Sequence, residues 1–231
     1  IEMKLYEKGL TFLDTIIKSN KKMPEVFYHK GICHGSLRQY GKAISSYEMA
    51  ITLKKDYIES YIQLGQLLKQ ISKLDEAIKV LLIAVNNVKQ KDLINTNISE
   101  IYYIKKNYDL SIKHANEAIK DNKNNYHAVI NIANCYIELG QIEKAIRILE
   151  KIAVNNKNVS MIFTNLGYSY KLQGNYDKAN LNYQKAITIN PNNCDAHFNL
   201  SHIKLAENNF KDGWYHYEQR WGTKKFAYKL N

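Results

Sequence analysis

Apolar positions along this chain recur at helical spacing. Phe163, Leu166, Gly167 and Tyr170 stand at i, i+3, i+4 and i+7, one face of an α-helix. Turn signals such as Leu139-Gly140-Gln141 and Gln173-Gly174-Asn175 interrupt that rhythm. Laid over itself with a 34-residue offset, the chain repeats from Pro24, Ile58, Asp92, Tyr126, Ser160 and Cys194 without a gap. The expected units are 24–57, 58–91, 92–125, 126–159, 160–193 and an atypical 194–231 that caps the array. Residues 1–23 fit the second half of a truncated earlier unit.

Small residues set the register. Place eight holds Gly31, Gly65, Ser99, Ala133, Gly167 and Ser201; place twenty holds Ala43, Ala77, Ser111, Ala145, Ala179 and Gly213. Place twenty-seven holds Ala50, Ala84, Ala118, Ile152, Ala186 and Arg220. Two antiparallel helices approach to about 8–10 Å only where the facing side chains are small. Larger residues fill the space around them: Phe27, Tyr61, Val129 and Phe163 at place four, Tyr47, Leu81, Leu149 and Tyr183 at place twenty-four. Each unit therefore reads as a helical hairpin, and stacked hairpins bury one continuous core. The unit at 92–125 departs from the pattern. Asn95 at place four, Ala115 at place twenty-four and Lys106-Asn107 at the turn predict underfilled, locally soft packing.

This arrangement resembles the tetratricopeptide repeat, whose full pattern shows in Phe163, Leu166, Gly167, Tyr170, Ala179, Tyr183, Ala186 and Pro191. The resemblance implies an all-α fold, a right-handed α-α superhelix of about six hairpins plus flanking helices. In that family first helices line the concave side and second helices the convex side.

The exposed places carry the functional expectation. The sixth place, on the first helix and off its apolar face, reads His29, Gln63, Asn97, Asn131, Asn165 and Asn199. Asn is a poor helix former, because its amide competes with the backbone for hydrogen bonds. A carboxamide offers both donors and an acceptor, so a column of them suits the main chain of an extended peptide. The column resembles the asparagine ladder of the O-linked N-acetylglucosamine transferases at Asn97, Asn131, Asn165 and Asn199; His29 and Gln63 depart from it. Gln63, Tyr28, Ile62, Tyr168 and Phe198 complete the expected peptide-binding surface. Place two, with Glu25, Glu59, Leu93, His127, Met161 and Asp195, lacks the inward Lys and Arg of chaperone-binding repeats. That argues against a chaperone tail as ligand. Place thirty-two carries a run of its own, Lys55, Lys89, Lys123 and Lys157, which reads as a solvated edge.

At the other end, Phe210, Trp214, Tyr217 and Trp221 stand at i, i+4, i+7 and i+11 and predict one aromatic stripe on the last helix. Gly213 and Arg220 take the places of two Ala residues, so this helix is expected to pack in its own way. The run GW-x-x-YE-x-RW at 213–221 is similar to bacterial repeat proteins whose repeats lead into a glycosyltransferase-like domain. Together with the ladder, it implies the recruiting region of such a protein.

Composition changes this picture little. The formal charge of +11 over 231 residues is spread along the chain rather than gathered in a block. It keeps a basic single-stranded-RNA solenoid open as an alternative, beside an assembly scaffold using convex and terminal surfaces. Cys33, Cys135 and Cys194 form no CxxC pair and read as buried thiols of a reducing compartment, which points to the cytoplasm. No stretch approaches the roughly 18 consecutive apolar residues of a membrane span. With no HExxH, phosphate-cradling Gly loop or nucleophile elbow, neither catalysis nor a cofactor is expected of this chain. His29 with His34, and His197 with His202, are five apart, off the i, i+4 spacing of two metal ligands on a helix; they read as surface or groove histidines. The opening IEMKLYEKGL has no initiator Met or leader and reads as a fragment of something longer.

Overall fold

A computed structural model describes residues 2–19 and 22–222. Among the described residues there are 13 α-helices, one 3-10 turn and no strand. They divide into two compact units, residues 1–123 and 124–231. The first unit holds α1 (Glu2–Ser19), α2 (Pro24–Ser36), α3 (Tyr40–Leu53), α4 (Ile58–Gln70), α5 (Leu74–Asn87), α6 (Asp92–Ile104) and α7 (Tyr108–Asp121). The second holds α8 (Tyr126–Glu138), α9 (Ile142–Ala153), α10 (Ser160–Leu172), α11 (Tyr176–Ile189), α12 (Cys194–Ala206) and α13 (Phe210–Glu218), then the 3-10 turn Gln219–Gly222. Within each unit every helix packs on its sequence neighbours, which builds a stack of antiparallel hairpins.

The hairpin turns share one device. Place fifteen is left-handed in all six: Arg38, Ser72, Lys106, Gly140, Gly174 and Asn208 have φ between 57° and 83°. In each turn the left-handed residue donates its N–H three residues back and the next residue donates five residues back, as in Lys106 to the Tyr103 carbonyl and Asn107 to the Tyr102 carbonyl, both 2.9 Å. This closes the orphan carbonyls of the first helix and reverses the chain. Gly takes this conformation without steric cost; the other four residues pay for their Cβ.

Asparagine then starts many of the helices. Asn107, Asn125, Asn175, Asn193 and Asn209 each accept an N–H from three residues on, at 2.9 to 3.3 Å. Such a cap is worth about 1 kcal/mol over alanine. Part of the Asn richness of this chain is thus spent on helix starts.

Inside a hairpin, places eight and twenty-four trade volume. A Cβ added at Gly167 would lie 2.6 Å from the Tyr183 ring, and one at Gly65 2.9 Å from Leu81. Where place twenty-four shrinks to Ala115, place eight grows to Ser99. The Ala residues at places twenty and twenty-seven, among them Ala43, Ala50, Ala77, Ala84, Ala179 and Ala186, are sealed from solvent.

Four expectations are corrected. Asn95 leaves no gap: it is buried, and its Oδ1 accepts from His114 Nδ1 at 2.9 Å. His197 is neither a surface nor a groove residue but is buried between α12 and α13. Of the three free thiols only Cys135 is buried; Cys33 and Cys194 keep partial exposure, Cys33 facing the small Gly9 of α1 and Cys194 standing at the first position of α12. The aromatic stripe is interrupted, because α13 ends at Glu218 and Trp221 falls in the 3-10 turn, off the α-helical register. There Arg220 lies 4.2 Å over both the Tyr217 and Trp221 rings and donates to the Tyr217 carbonyl.

Candidate interaction surface

The residues expected at the surface lie on the first helices, Tyr28, Ile62, Gln63 and Asn97 in the first unit and Asn131, Asn165, Tyr168, Phe198 and Asn199 in the second. In the first unit Tyr28 and Ile62 are drawn inward, half-buried against the apolar core. The Tyr28 ring packs 5.5 Å from Tyr57 and 6.1 Å from Tyr47, and burial pushes its phenol above the usual range. Gln63 lies on the rim of an open cleft of about 420 Å³ shared with Ile32, Arg38, Gln66 and Gln70. Gln63, Gln66 and Gln70 follow one another at i, i+3 and i+7, so α4 presents three carboxamides on one face. Sequence reading passed over Gln70, although that spacing announces it.

Asn97 donates its side-chain N–H to the Leu93 carbonyl at 2.8 Å, and its Oδ1 receives a long bond, 3.5 Å, from Gln66. A salt bridge of 2.7 Å from Lys69 to Glu100 ties α4 to α6 one turn further on. These links order the first unit's surface.

In the second unit Asn131, Asn165 and Asn199 are half-buried on α8, α10 and α12. Asn165 donates to the Met161 carbonyl at 2.8 Å and Asn199 to the Asp195 carbonyl at 2.9 Å. The second N–H and the carbonyl oxygen of these two amides have no partner among the described residues. The bond to the carbonyl four residues back fixes the side chain along its own helix and explains how Asn is tolerated mid-helix. It is not peculiar to this surface: Asn87, Asn156 and Asn182 make it elsewhere. Tyr168 stands 39% exposed beside Asn165 on α10. Phe198 is half-buried, edge-on to His202 at 4.5 Å and tilted against Tyr217 at 6.0 Å.

No group of three or more His, Cys, Asp or Glu side chains that could hold a metal occurs among the described residues. No helix there is long and apolar enough to cross a membrane. What these surfaces offer is hydrogen-bonding amides among a few apolar side chains.

Comparison with known proteins agrees with this architecture. Profiles of the tetratricopeptide repeat match residues 24–57 and 58–85, 102–160 and 162–205. The DnaJ homolog subfamily C member 7 homolog of Dictyostelium discoideum is 22% identical over 210 residues, 89% of this chain and 35% of that protein. The chain thus spans about a third of the length of that relative. A tetratricopeptide repeat protein from Parabacteroides merdae superposes with a TM-score of 0.76 at 14% identity, covering 98% of this chain and 95% of its own. YrrB, described as a TPR protein with an unusual peptide-binding site, gives a TM-score of 0.55 at 18% identity over 80% of this chain and 95% of its own. With repeat matches over most of its length and hairpins built on small-residue pairs, the chain belongs to the tetratricopeptide repeat family.

Proposed function

We propose that this chain is a protein-interaction module that holds extended polypeptide along its first helices, pairing main-chain groups with Gln63 and Asn97 on the first unit and, as a surface of its own, with Asn131, Asn165 and Asn199 on the second. The observation that carries the reading is the half-used amide. In Asn165 and Asn199 one N–H is anchored on the helix, and the other N–H and the oxygen remain for a ligand. Anchoring matters, because an immobilised side chain loses less entropy on binding, about 0.5–1.5 kcal/mol each. A peptide group offers the complementary donor and acceptor whatever its side chain. Tyr168 and Phe198 add apolar contact beside the amides. The peptide-binding site named for YrrB agrees with this use of the fold.

A finer reading makes the module the recruiting region of a larger glycosyltransferase-like protein. It rests on the column of amides and on the Gly213-to-Trp221 motif of the sequence.

The test is binding of a fluorescent pool of unstructured peptides to the chain and to its Asn97→Ala, Asn131→Ala, Asn165→Ala, Asn199→Ala variant. Binding that persists in high salt and drops in the variant supports the module. Binding indifferent to the four substitutions removes these amides from the site.

A further inference from the structure

On α10, Phe163, Leu166 and Tyr170 face away from Asn165, since about 100° of helix rotation separates each residue from the next. They form the floor of a second open cleft, of about 410 Å³, walled by the end of α9 and by α11. Lys178, Asn182 and Lys185 reach it from one face of α11 at i, i+4 and i+7, and Lys157 from the connection before α10. Lys185 Nζ lies 4.0 Å over the Phe163 ring and Lys178 Nζ 5.0 Å over the Tyr170 ring. None of the three lysines has a carboxylate partner among the described residues.

The cleft holds one carboxylate, Glu150, which accepts the Tyr170 hydroxyl at 2.5 Å. Burial, and then this bond to Glu150, push the Tyr170 phenol up to about 12, so at neutral pH it stays a donor. The site therefore presents three ammonium groups against one carboxylate already engaged. Ring faces hold two of the ammonium groups in place, and a cation over an aromatic face is worth about 0.5–1 kcal/mol where exposed. Val154, 65% exposed, adds an apolar lip.

We infer that this cleft on the second unit is a docking site for an acidic polypeptide segment, one with an apolar residue flanked by carboxylates. The charge calls for an anion. The exposed Val154 lip calls for one that brings a hydrophobic side chain. The occupant is not a nucleic acid: Phe163 and Tyr170 are 3% and 5% exposed and offer no open ring face to a base. The site lies on the opposite side of α10 from Asn165 and is independent of the amide column. It also gives Lys157, one of the evenly spaced lysines, a use beyond solvation.

The experiment measures fluorescence anisotropy of a labelled peptide with Leu between pairs of Glu, of the same peptide with Gln for Glu, and of oligouridylate. The proteins are the full chain, a Lys157→Gln/Lys178→Gln/Lys185→Gln variant, and Lys211→Gln, which removes an exposed lysine of α13 outside the cleft. Three exposed pairs at roughly half a kcal/mol each predict about tenfold weaker binding of the acidic peptide to the triple variant. The Gln peptide is expected to bind more weakly than the Glu peptide, and Lys211→Gln to leave acidic-peptide binding unchanged. Lys157→Gln alone, in a connecting segment, keeps the test valid if the triple variant unfolds, and predicts about twofold weakening. Acidic-peptide binding unaffected by the lysine substitutions would overturn the inference. So would oligouridylate binding of equal strength lost in the same variant.

Discussion

Hairpins α6–α7 and α10–α11 share a turn, a left-handed residue at place fifteen and the same helix lengths to within one residue, yet their interiors have opposite chemistry. Between α10 and α11 lie Phe163, Gly167, Tyr170, Ala179, Tyr183 and Ala186, an aromatic core in which a ring fills the space a glycine leaves. Between α6 and α7 the corresponding space is stitched by hydrogen bonds. Asn95 pairs with His114 at 2.9 Å, Ser111 donates to the Ser99 carbonyl at 2.8 Å, and Asn122 donates to Asp92 at 3.1 Å. Asn95, Ser99, Ser111 and Asp92 are all buried. The difference teaches that small residues and the turn set the frame, and that what fills it is interchangeable at a cost. An apolar filling tolerates loss of one group gradually, whereas a polar filling leaves an orphan when a single partner goes.

The largest expected effect comes from overfilling the aromatic hairpin. Gly167→Ala drives a Cβ into the Tyr183 ring and should destabilise by about 1–3 kcal/mol in a urea titration. Adding Tyr183→Leu reproduces the Ala133 and Leu149 pair of the preceding hairpin and should restore most of the loss. No recovery in the double variant would mean that the two places are not coupled.

In the polar hairpin, Asn95→Ala should cost about 1–3 kcal/mol by orphaning His114. The double change Asn95→Val with His114→Ile copies the Val129 and Ile148 combination found at the same places of the next repeat, and should come close to neutral. A double variant as unstable as Asn95→Ala would show that the polar pair specifies this hairpin.

Protonation sharpens the comparison next. His114 and His216 occupy the same place in their repeats, and both are held below the usual histidine range. For His114 the chief cause is burial, with Lys113 adding and Glu117 opposing. For His216 it is burial again, with His197 and Lys204 adding and Asp212 opposing. The rings of His197 and His216 face each other Nδ1 to Nδ1 at 2.7 Å, and His197 Nε2 donates to the Pro191 carbonyl at 3.0 Å. One proton therefore serves both Nδ1 atoms, and a second breaks the bond. A histidine whose folded pKa is depressed contributes nothing unfavourable above its unfolded value of about 6.5, and below it the unfolded chain takes up the proton first. Stability should fall as pH drops through and below that value. His114→Gln/His216→Gln should flatten the dependence; an unchanged slope would contradict the assignment.

The smallest effect relaxes a turn. Lys106→Gly removes a Cβ from a left-handed residue and should stabilise by about 1 kcal/mol, where the same change of Lys105, outside that conformation, should not. A loss of stability at Lys106 would show that the turn is held by its side chain.

The fold was legible because sterics left few choices. Small residues at places eight, twenty and twenty-seven have to face one another, and a 34-residue period of such residues admits helical hairpins and little else. The turn at Lys106-Asn107 was not legible. Backbone hydrogen bonds there enforce a left-handed residue, and sequence reading looked for glycine. Nor was the use of Asn95 and His197, since their partners His114 and His216 lie 19 residues away across a turn, where periodicity carries no signal. The column of amides could be read as a column, but not its bond to the carbonyl four residues back. The lysine cleft was hidden because its members come from the end of α9, the connection after it, α10 and α11, and of its lysines only Lys157 belongs to a regular series.

The most direct measurement follows the side-chain amide resonances of the chain during titration with a peptide that it binds. The account predicts shifts at Asn131, Asn165 and Asn199, with Asn87 and Asn156 silent although they make the same bond to the carbonyl four residues back as Asn165 and Asn199. Saturating peptide that moves Asn87 and Asn156 as much as Asn165 and Asn199, or none of them, would contradict the proposal that the amide column is the binding surface.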